Sequence, residues 1–407
     1  MDVEDNVPIT EKSHIHRRGG HRPPEKVTFM KTDYSCLEKR ALHNIEIQKI
    51  PGCVCLVATP GNIMYHEAFG FEDYTAKKPM ARNSMFRLAS MTKPVTGVTT
   101  MTLVEKGLLS LDDKVSKFLP GFSEMYIGKI VDGKAVPDRK AEKEITIKHL
   151  LSHCSGLGSG EVGNAQMGLI TTNGTCVADI GPRYQNILLD FEPESTNAYS
   201  GHMALDLLTY LCELVSGMPF NELVDKNVLS KAETNEVTFL PTDEQDSRLV
   251  KMHRETPDGL KITEGMDGRN FAGVPRSYFA GSCSMLGTAE GYYKFASILA
   301  TGGRALSGER VLKEETVKLM RTPAFGGNVV NCGFGQYWGL SMRVIKEPQG
   351  PTAVMPVDSF GWSGAYGTHF FINPADGLTA IYMMNCSTAN GSGAITAREF
   401  EIDVLGE

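Results

Sequence analysis

The sequence predicts a two-lobed α/β protein, with an antiparallel sheet flanked by helices built from both chain ends and a mainly helical lobe inserted between them. Three observations predict it. The chain has 407 residues, more than one hydrophobic core usually serves. A helical pattern at Leu37, Ala41, Leu42 and Ile45 leads into two apolar runs joined by a turn, and the last third of the chain is a succession of strand patterns. Between these ends the periodicity is mainly helical. The expected parts are a mobile extension over residues 1–26, an α/β lobe from 27–110 and 266–407, and an inserted lobe over 111–265.

Residues 1–26 hold His14, His16, His21, Arg17, Arg18 and two adjacent prolines with little to bury, which reads as a polar extension rather than a metal site. Ile50-Pro51-Gly52 breaks the opening helix. Residues 53–58 and 63–70 then read as paired strands around Thr59-Pro60-Gly61-Asn62. After Ser90, apolar residues Val95, Val98, Met101 and Leu103 mark a buried helix that stops at Glu105-Lys106-Gly107. Residues 120–145 are glycine-rich and charged, an excursion from the first lobe. Residues 145–153 begin a helical segment capped by Thr146, and 160–190 read as a surface loop over a cleft. Ala204, Leu207, Leu208, Leu211, Leu214 and Val215 form an amphipathic stripe closed by Gly217. Further helices are expected over 289–300 and 311–320, strands over 334–340, 360–367, 368–372 and 378–385, and a closing helix near 391–405. The turn before the last strand is Asn373-Pro374-Ala375-Asp376-Gly377.

Composition excludes several function classes. Hydrophobic content of 41%, charged content of 22% and a net charge of −7 describe a globular protein without the basic excess that a polyanion or an anionic membrane surface attracts. No run of 18 apolar residues offers a membrane span. The opening Met1-Asp2-Val3-Glu4-Asp5 lacks the apolar core of a signal peptide, so a cytoplasmic location is expected. Nine scattered cysteines without a Cys-x-x-Cys pair read as buried free thiols of a reducing compartment. His149 and His153 are one helical turn apart but lack the intervening Glu of a zinc protease, so neither metal nor cofactor is expected.

The chemistry concentrates at Ser90-Met91-Thr92-Lys93. Side chains at i and i+3 share a helix face, so Ser90 and Lys93 can come within hydrogen-bonding reach. Pro94 fits only a first turn, which places Ser90 at or near the helix start, where unpaired N–H groups and the helix dipole favour an oxyanion. Burial lowers an amine's proton affinity, and a serine beside such an amine is an activated nucleophile. Tyr199 stands on the turn just before the amphipathic helix. Ser-x-x-Lys alone is a weak signal, and its context decides. Gly-x-Ser-x-Gly is absent; Gly361-x-Ser363-Gly364-Ala365 misses it by one position, which disfavours an α/β-hydrolase.

That context resembles a family. Ser90-x-x-Lys93, Tyr199-Ser200 and Trp362-Ser363-Gly364 stand in the order of the serine β-lactamase and D-peptidase superfamily, and the stretches 86–93, 107–113, 145–157 and 281–290 look like family text over roughly residues 30–400. The likeness is greatest to class C β-lactamases and β-lactamase-like esterases. It implies the β-lactamase/transpeptidase-like fold, with Ser90 as acylated nucleophile, Lys93 as its basic partner and Tyr199 as proton carrier. It also implies that Trp362, Ser363 and Gly364 flank the substrate, with the backbone N–H groups of Ser90 and Ala365 as oxyanion hole. Two departures bear on substrate. Gly201 stands where the family often has Asn, leaving His202 or Asn197 to hold the lysine, and Trp362 replaces a common lysine. The implied partner is a small ester, amide or β-lactam; a carboxylesterase-like activity leads, ahead of a β-lactamase or D-aminoacyl peptidase and of a penicillin-binding sensor that stays acylated.

Overall fold

A computed structural model describes residues 33–170, 176–263, 277–327, 329–391 and 394–406, so His14, His16 and His21 lie outside the described residues. The described chain enters through α1 (Ser35–Glu46), which buries Leu37 and Ala41. It continues into β1 (Gly52–Thr59) and β2 (Asn62–Asp73), an antiparallel hairpin in which Thr59 pairs with Asn62. Pro60 presets the φ of the intervening turn and Gly61 takes φ 80°, a conformation that only glycine adopts cheaply. The short β3 (Lys78–Pro79) pairs with the end of β2. Next come α2 (Thr92–Glu105), α3 (Ile147–Leu151), α4 (Met203–Ser216) and α5 (Ala289–Ala300). The remaining strands of the main sheet are β4 (Asn331–Gly333), β5 (Gln336–Trp338), β6 (Arg343–Ile345), β7 (Phe360–Ser363), β8 (His369–Asn373) and β9 (Leu378–Met383), followed by α6 (Ile395–Leu405).

These strands make one antiparallel sheet in the order β4-β5-β6-β7-β8-β9-β1-β2-β3. β9 lies beside β1, with Val54 opposite Met383, so the two chain ends meet in the middle of the sheet. Strand alternation sorts the side chains. Cys53, Cys55, Val57, Phe371, Ala380 and Tyr382 pack against Leu37 and Ala41 of α1 and Phe400 and Val404 of α6. Val54, Leu56, Ala58, Phe370, Ile372, Ile381 and Met383 face the other way, toward α2 and α5. There Tyr292, Phe295 and Ile298 of α5 are fully buried, each contributing roughly 1.5–3 kcal/mol by leaving water. The same cluster runs on through Leu150, Leu205, Leu208 and Leu211, so packing is unbroken across residue 110, and Asp33–Glu407 forms one compact unit. All nine cysteines are free, and Cys332 is the exposed one.

The structure fills in two local expectations and corrects a third, that of a surface loop over residues 160–190. Residues 126–140 are a β-hairpin, Tyr126–Val131 paired with Lys134–Lys140. Its two-residue turn is Asp132-Gly133, both with positive φ, a strong hairpin signal that the charged, glycine-rich text concealed. Residues 160–190 contain short helical segments at Glu161–Ala165 and Val177–Ile180 and bury Val177, Tyr184, Ile187 and Leu189. Burying those side chains makes this a packed segment rather than a loop over the cleft. Ser90 lies near the helix start, in the 3₁₀ turn Ala89–Met91 that runs into α2, and Pro94 sits in the first helical turn as its missing N–H requires.

Candidate active site

The turn that carries Ser90 is clamped on every side. Leu88 N–H donates to Met285 O at 3.0 Å, Thr368 Oγ1 donates to Leu88 O at 3.0 Å, and Tyr292 Oη donates to Met91 O at 2.9 Å. Ala89, just before the serine, has φ 47°, a left-handed conformation that costs a non-glycine residue about 1–3 kcal/mol and persists only where the surroundings impose it. β7 runs directly against this turn. A Cβ on Gly364 would stand 2.3 Å from Leu88 O and 2.1 Å from Thr368 Oγ1, so glycine there is a condition of the approach.

Two side chains converge on the Ser90 oxygen. Tyr199 Oη donates to Ser90 Oγ at 2.6 Å, and Lys93 Nζ lies 3.3 Å from the same Oγ. Lys93 is fully buried and also donates to Gly201 O at 2.6 Å and Ser282 O at 2.9 Å. No carboxylate lies within ion-pair distance of it among the described residues; Ser282, whose carbonyl Lys93 meets, donates its own N–H to Asp206 Oδ1 at 3.1 Å. Burial raises the Asp206 pKa above the usual carboxylate range. Lys93, for which His202 or Asn197 was the candidate partner, is therefore held by backbone carbonyls. Asn197 instead donates to Val329 O and Asn331 O and accepts from Trp338 Nε1 at 3.1 Å. His202 turns its Nδ1 to Cys283 Sγ, 3.6 Å away, and is not on the cavity wall.

A cavity of about 630 Å³ opens beside Ser90, within the range that holds small ligands. Tyr199, Trp338, Trp362 and Phe334 form its aromatic wall; Ser363, Ala365, Gln336, Asn390, Arg343 and Arg398 add polar groups. Trp362 meets Trp338 edge-on at 4.6 Å between centroids and Tyr199 at 5.2 Å. Behind this wall Ser363 Oγ hydrogen-bonds His369 Nδ1 at 2.8 Å, and His369 Nε2 lies 3.2 Å from Glu401 Oε1. Glu401 also accepts from Arg343 Nη2 at 2.9 Å and Arg398 Nη1 at 2.7 Å. Burial by itself pushes the Glu401 pKa up, but the Arg343 charge, His369 and Arg398 outweigh it and hold the carboxyl far below its usual range. Burial keeps His369 neutral.

The structure thus gathers Ser90, Lys93, Tyr199, Trp362, Ser363 and Ala365 at one cavity, with Gly364 against the serine turn and Gly201 behind the lysine. Sequence reasoning missed Trp338, Arg343 and Arg398. One signal was available: the chain has only two tryptophans, and both line this cavity. His149 serves as a cap, with Thr146 N–H donating to its Nδ1 at 3.1 Å. No group of three or more His, Cys, Asp or Glu poised for a metal occurs among the described residues. The arrangement offers a hydroxyl with two proton-transfer partners in a mostly aromatic pocket.

Comparison with known proteins bears on the family and the fold. The family model described as Beta-lactamase matches residues 37–400. Esterase EstB of Burkholderia gladioli is 28% identical over 372 residues, covering 86% of this chain and 89% of its own. Among solved structures, EstCE1, described as a hydrolase with promiscuous acyltransferase activity, superposes with a TM-score of 0.74 at 26% identity over 92% of this chain and 99% of that one. An octameric penicillin-binding protein homologue from Pyrococcus abyssi shares the fold, with a TM-score of 0.68 at 20% identity over 91% of this chain and 76% of that one.

Proposed function

The chain belongs to the beta-lactamase family, and from that premise we propose that it is a carboxylesterase-like serine hydrolase acting on small esters through an acyl-Ser90 intermediate. The observation that carries the reading is the pair of contacts on Ser90 Oγ, 2.6 Å from Tyr199 Oη and 3.3 Å from Lys93 Nζ, at the wall of an aromatic cavity. Ser90 Oγ attacks the ester carbonyl carbon while its proton passes to the Tyr199–Lys93 pair. The backbone N–H groups of Ser90 and Ala365 receive the oxyanion. The C–O bond to the alcohol then breaks, and the leaving alkoxide takes the proton back from Tyr199. Water attacks the acyl-serine by the same relay in reverse, releasing the acid and restoring Ser90. The likeness to EstB and EstCE1 supports an ester as the substrate and acyl transfer to an acceptor other than water as an alternative to hydrolysis.

A second reading rests on a specific observation. Arg343 and Arg398 both line the cavity, and Glu401 is the carboxylate they share, so the wall that lost a lysine at position 362 still carries positive charge. That favours a substrate bearing a carboxylate, a β-lactam included. The deciding measurement is kcat/KM for a p-nitrophenyl butyrate-type ester against a chromogenic cephalosporin, with Ser90→Ala as control. The esterase reading expects the ester to be preferred and both activities to vanish in Ser90→Ala. A preference for the cephalosporin of about tenfold or more, roughly 1.4 kcal/mol, overturns it. A single burst with a stable mass adduct and no turnover identifies a penicillin-binding sensor instead.

A further inference from the structure

Tyr199 is 37% exposed, yet its phenol meets Ser90 at 2.6 Å. Something on its inner side must fix it. The peptide N–H groups on either side of Tyr199 both donate to one residue: Ala198 N–H to His153 O at 3.1 Å, and Ser200 N–H to His153 Nδ1 at 3.2 Å. The His153 ring also lies against the Tyr199 ring, 4.8 Å between centroids, and against Trp338 at 4.4 Å. Trp338 in turn stacks on Tyr199 with 12° between the planes.

We propose that His153 is a positioning residue for the proposed esterase reaction, the clamp that holds the Tyr199 hydroxyl on Ser90. The inference rests on the functional reading above. His153 is fully buried and does not line the cavity, so it acts through Tyr199 and not on the substrate. Its place just after α3, with φ 58°, turns both its carbonyl and its ring toward the 198–200 turn. Because Nδ1 accepts from Ser200, the ring proton resides on Nε2. Burial, and then the Lys93 charge, keep the ring in that neutral form. A tyrosine side chain has two torsions; with the residue on each side held through its N–H and one ring face packed, little freedom is left to the phenol.

The test contrasts isosteres within a double-mutant cycle. In His153→Asn the amide oxygen stands where Nδ1 stood and still accepts from Ser200. In His153→Gln the amide reaches the Nε2 position, and in His153→Phe the ring is kept without an acceptor. The expected result is kcat on p-nitrophenyl butyrate within about threefold of wild type for Asn, and about tenfold lower for Gln and Phe, with KM little changed, the loss corresponding to one hydrogen bond. In a Tyr199→Phe background, where no hydroxyl remains to be positioned, Gln and Phe cost less than about twofold more. An equal loss in both backgrounds, or Asn no better than Gln, overturns the proposal. The Asn and Gln pair decides the matter even where Phe fails to fold. Retention of turnover by Ser90→Ala overturns the functional reading and His153 with it; a Ser90-dependent activity with an additive cycle overturns His153 alone.

Discussion

Glu401→Gln isolates the one carboxylate that ties the cavity wall together. Glu401 is 1% exposed and Arg343 is 3% exposed, so the substitution strands a buried guanidinium and weakens the holds on Arg398 and on His369 behind Ser363. Breaking a buried ion pair by removing one partner costs about 3–5 kcal/mol. Unfolding entropy is about 2.1 cal/mol/K per residue near 60 °C, so a compact unit of this size loses roughly 4–6 °C of Tm. The pH dependence has a definite sign. The Glu401 pKa is lowered in the folded state, so its contribution is complete above the ordinary carboxylate value of about 4.3 and is lost as pH falls below it toward the lowered folded value. Calorimetric or circular-dichroism melts of wild type and Glu401→Gln should therefore differ most at neutral pH and converge on acidification through pH 4 and below. A neutral-pH difference under about 1 °C, or one that widens on acidification, refutes the reasoning.

Lys93→Ala and Tyr199→Phe should each lower kcat by on the order of 10²-fold or more by removing proton-transfer help; near-native rates in either would remove that residue from the relay. Gly201→Ala should leave kcat/KM within about threefold, since a backbone carbonyl there holds Lys93 and an added Cβ meets open space; a loss comparable to that of Lys93→Ala would mean the glycine itself matters. Gly364→Ala should cost at least about tenfold in fluorophosphonate labelling of Ser90, because the new methyl collides with Leu88 O beside the serine turn. Labelling at the wild-type rate would show that the strand yields without moving the turn.

The placement of Ser90, Lys93 and Tyr199 was legible because each obeys local rules: Pro94 fixes the serine near a helix start, i to i+3 spacing brings the lysine round, and the stripe ending at Gly217 locates the helix after the tyrosine. The β1–β2 hairpin was legible from Pro60-Gly61, and the Asp132-Gly133 hairpin carried the same kind of signal amid charged text. The lysine's acceptors were not legible. They are the carbonyls of Gly201 and Ser282, and a carbonyl leaves no trace in residue identity. His202, the neighbour of Gly201 in sequence, points to Cys283 instead, because adjacent residues at a helix start face different ways. Arg343 and Glu401 are 58 positions apart and meet only once the sheet and α6 have packed.

Trp338 and Trp362, the chain's only indoles, stand 4.6 Å apart on the cavity wall, one of them 5.2 Å from the Tyr199 ring. Light absorbed at the red edge of the aromatic band, where tyrosine is silent, excites this pair alone. The protein therefore carries its own optical reporter, silent on the rest of the fold and responsive to whatever enters beside Ser90. A stopped-flow trace of indole emission should resolve substrate entry, acylation and release as separate phases, without a label and without a chromogenic leaving group.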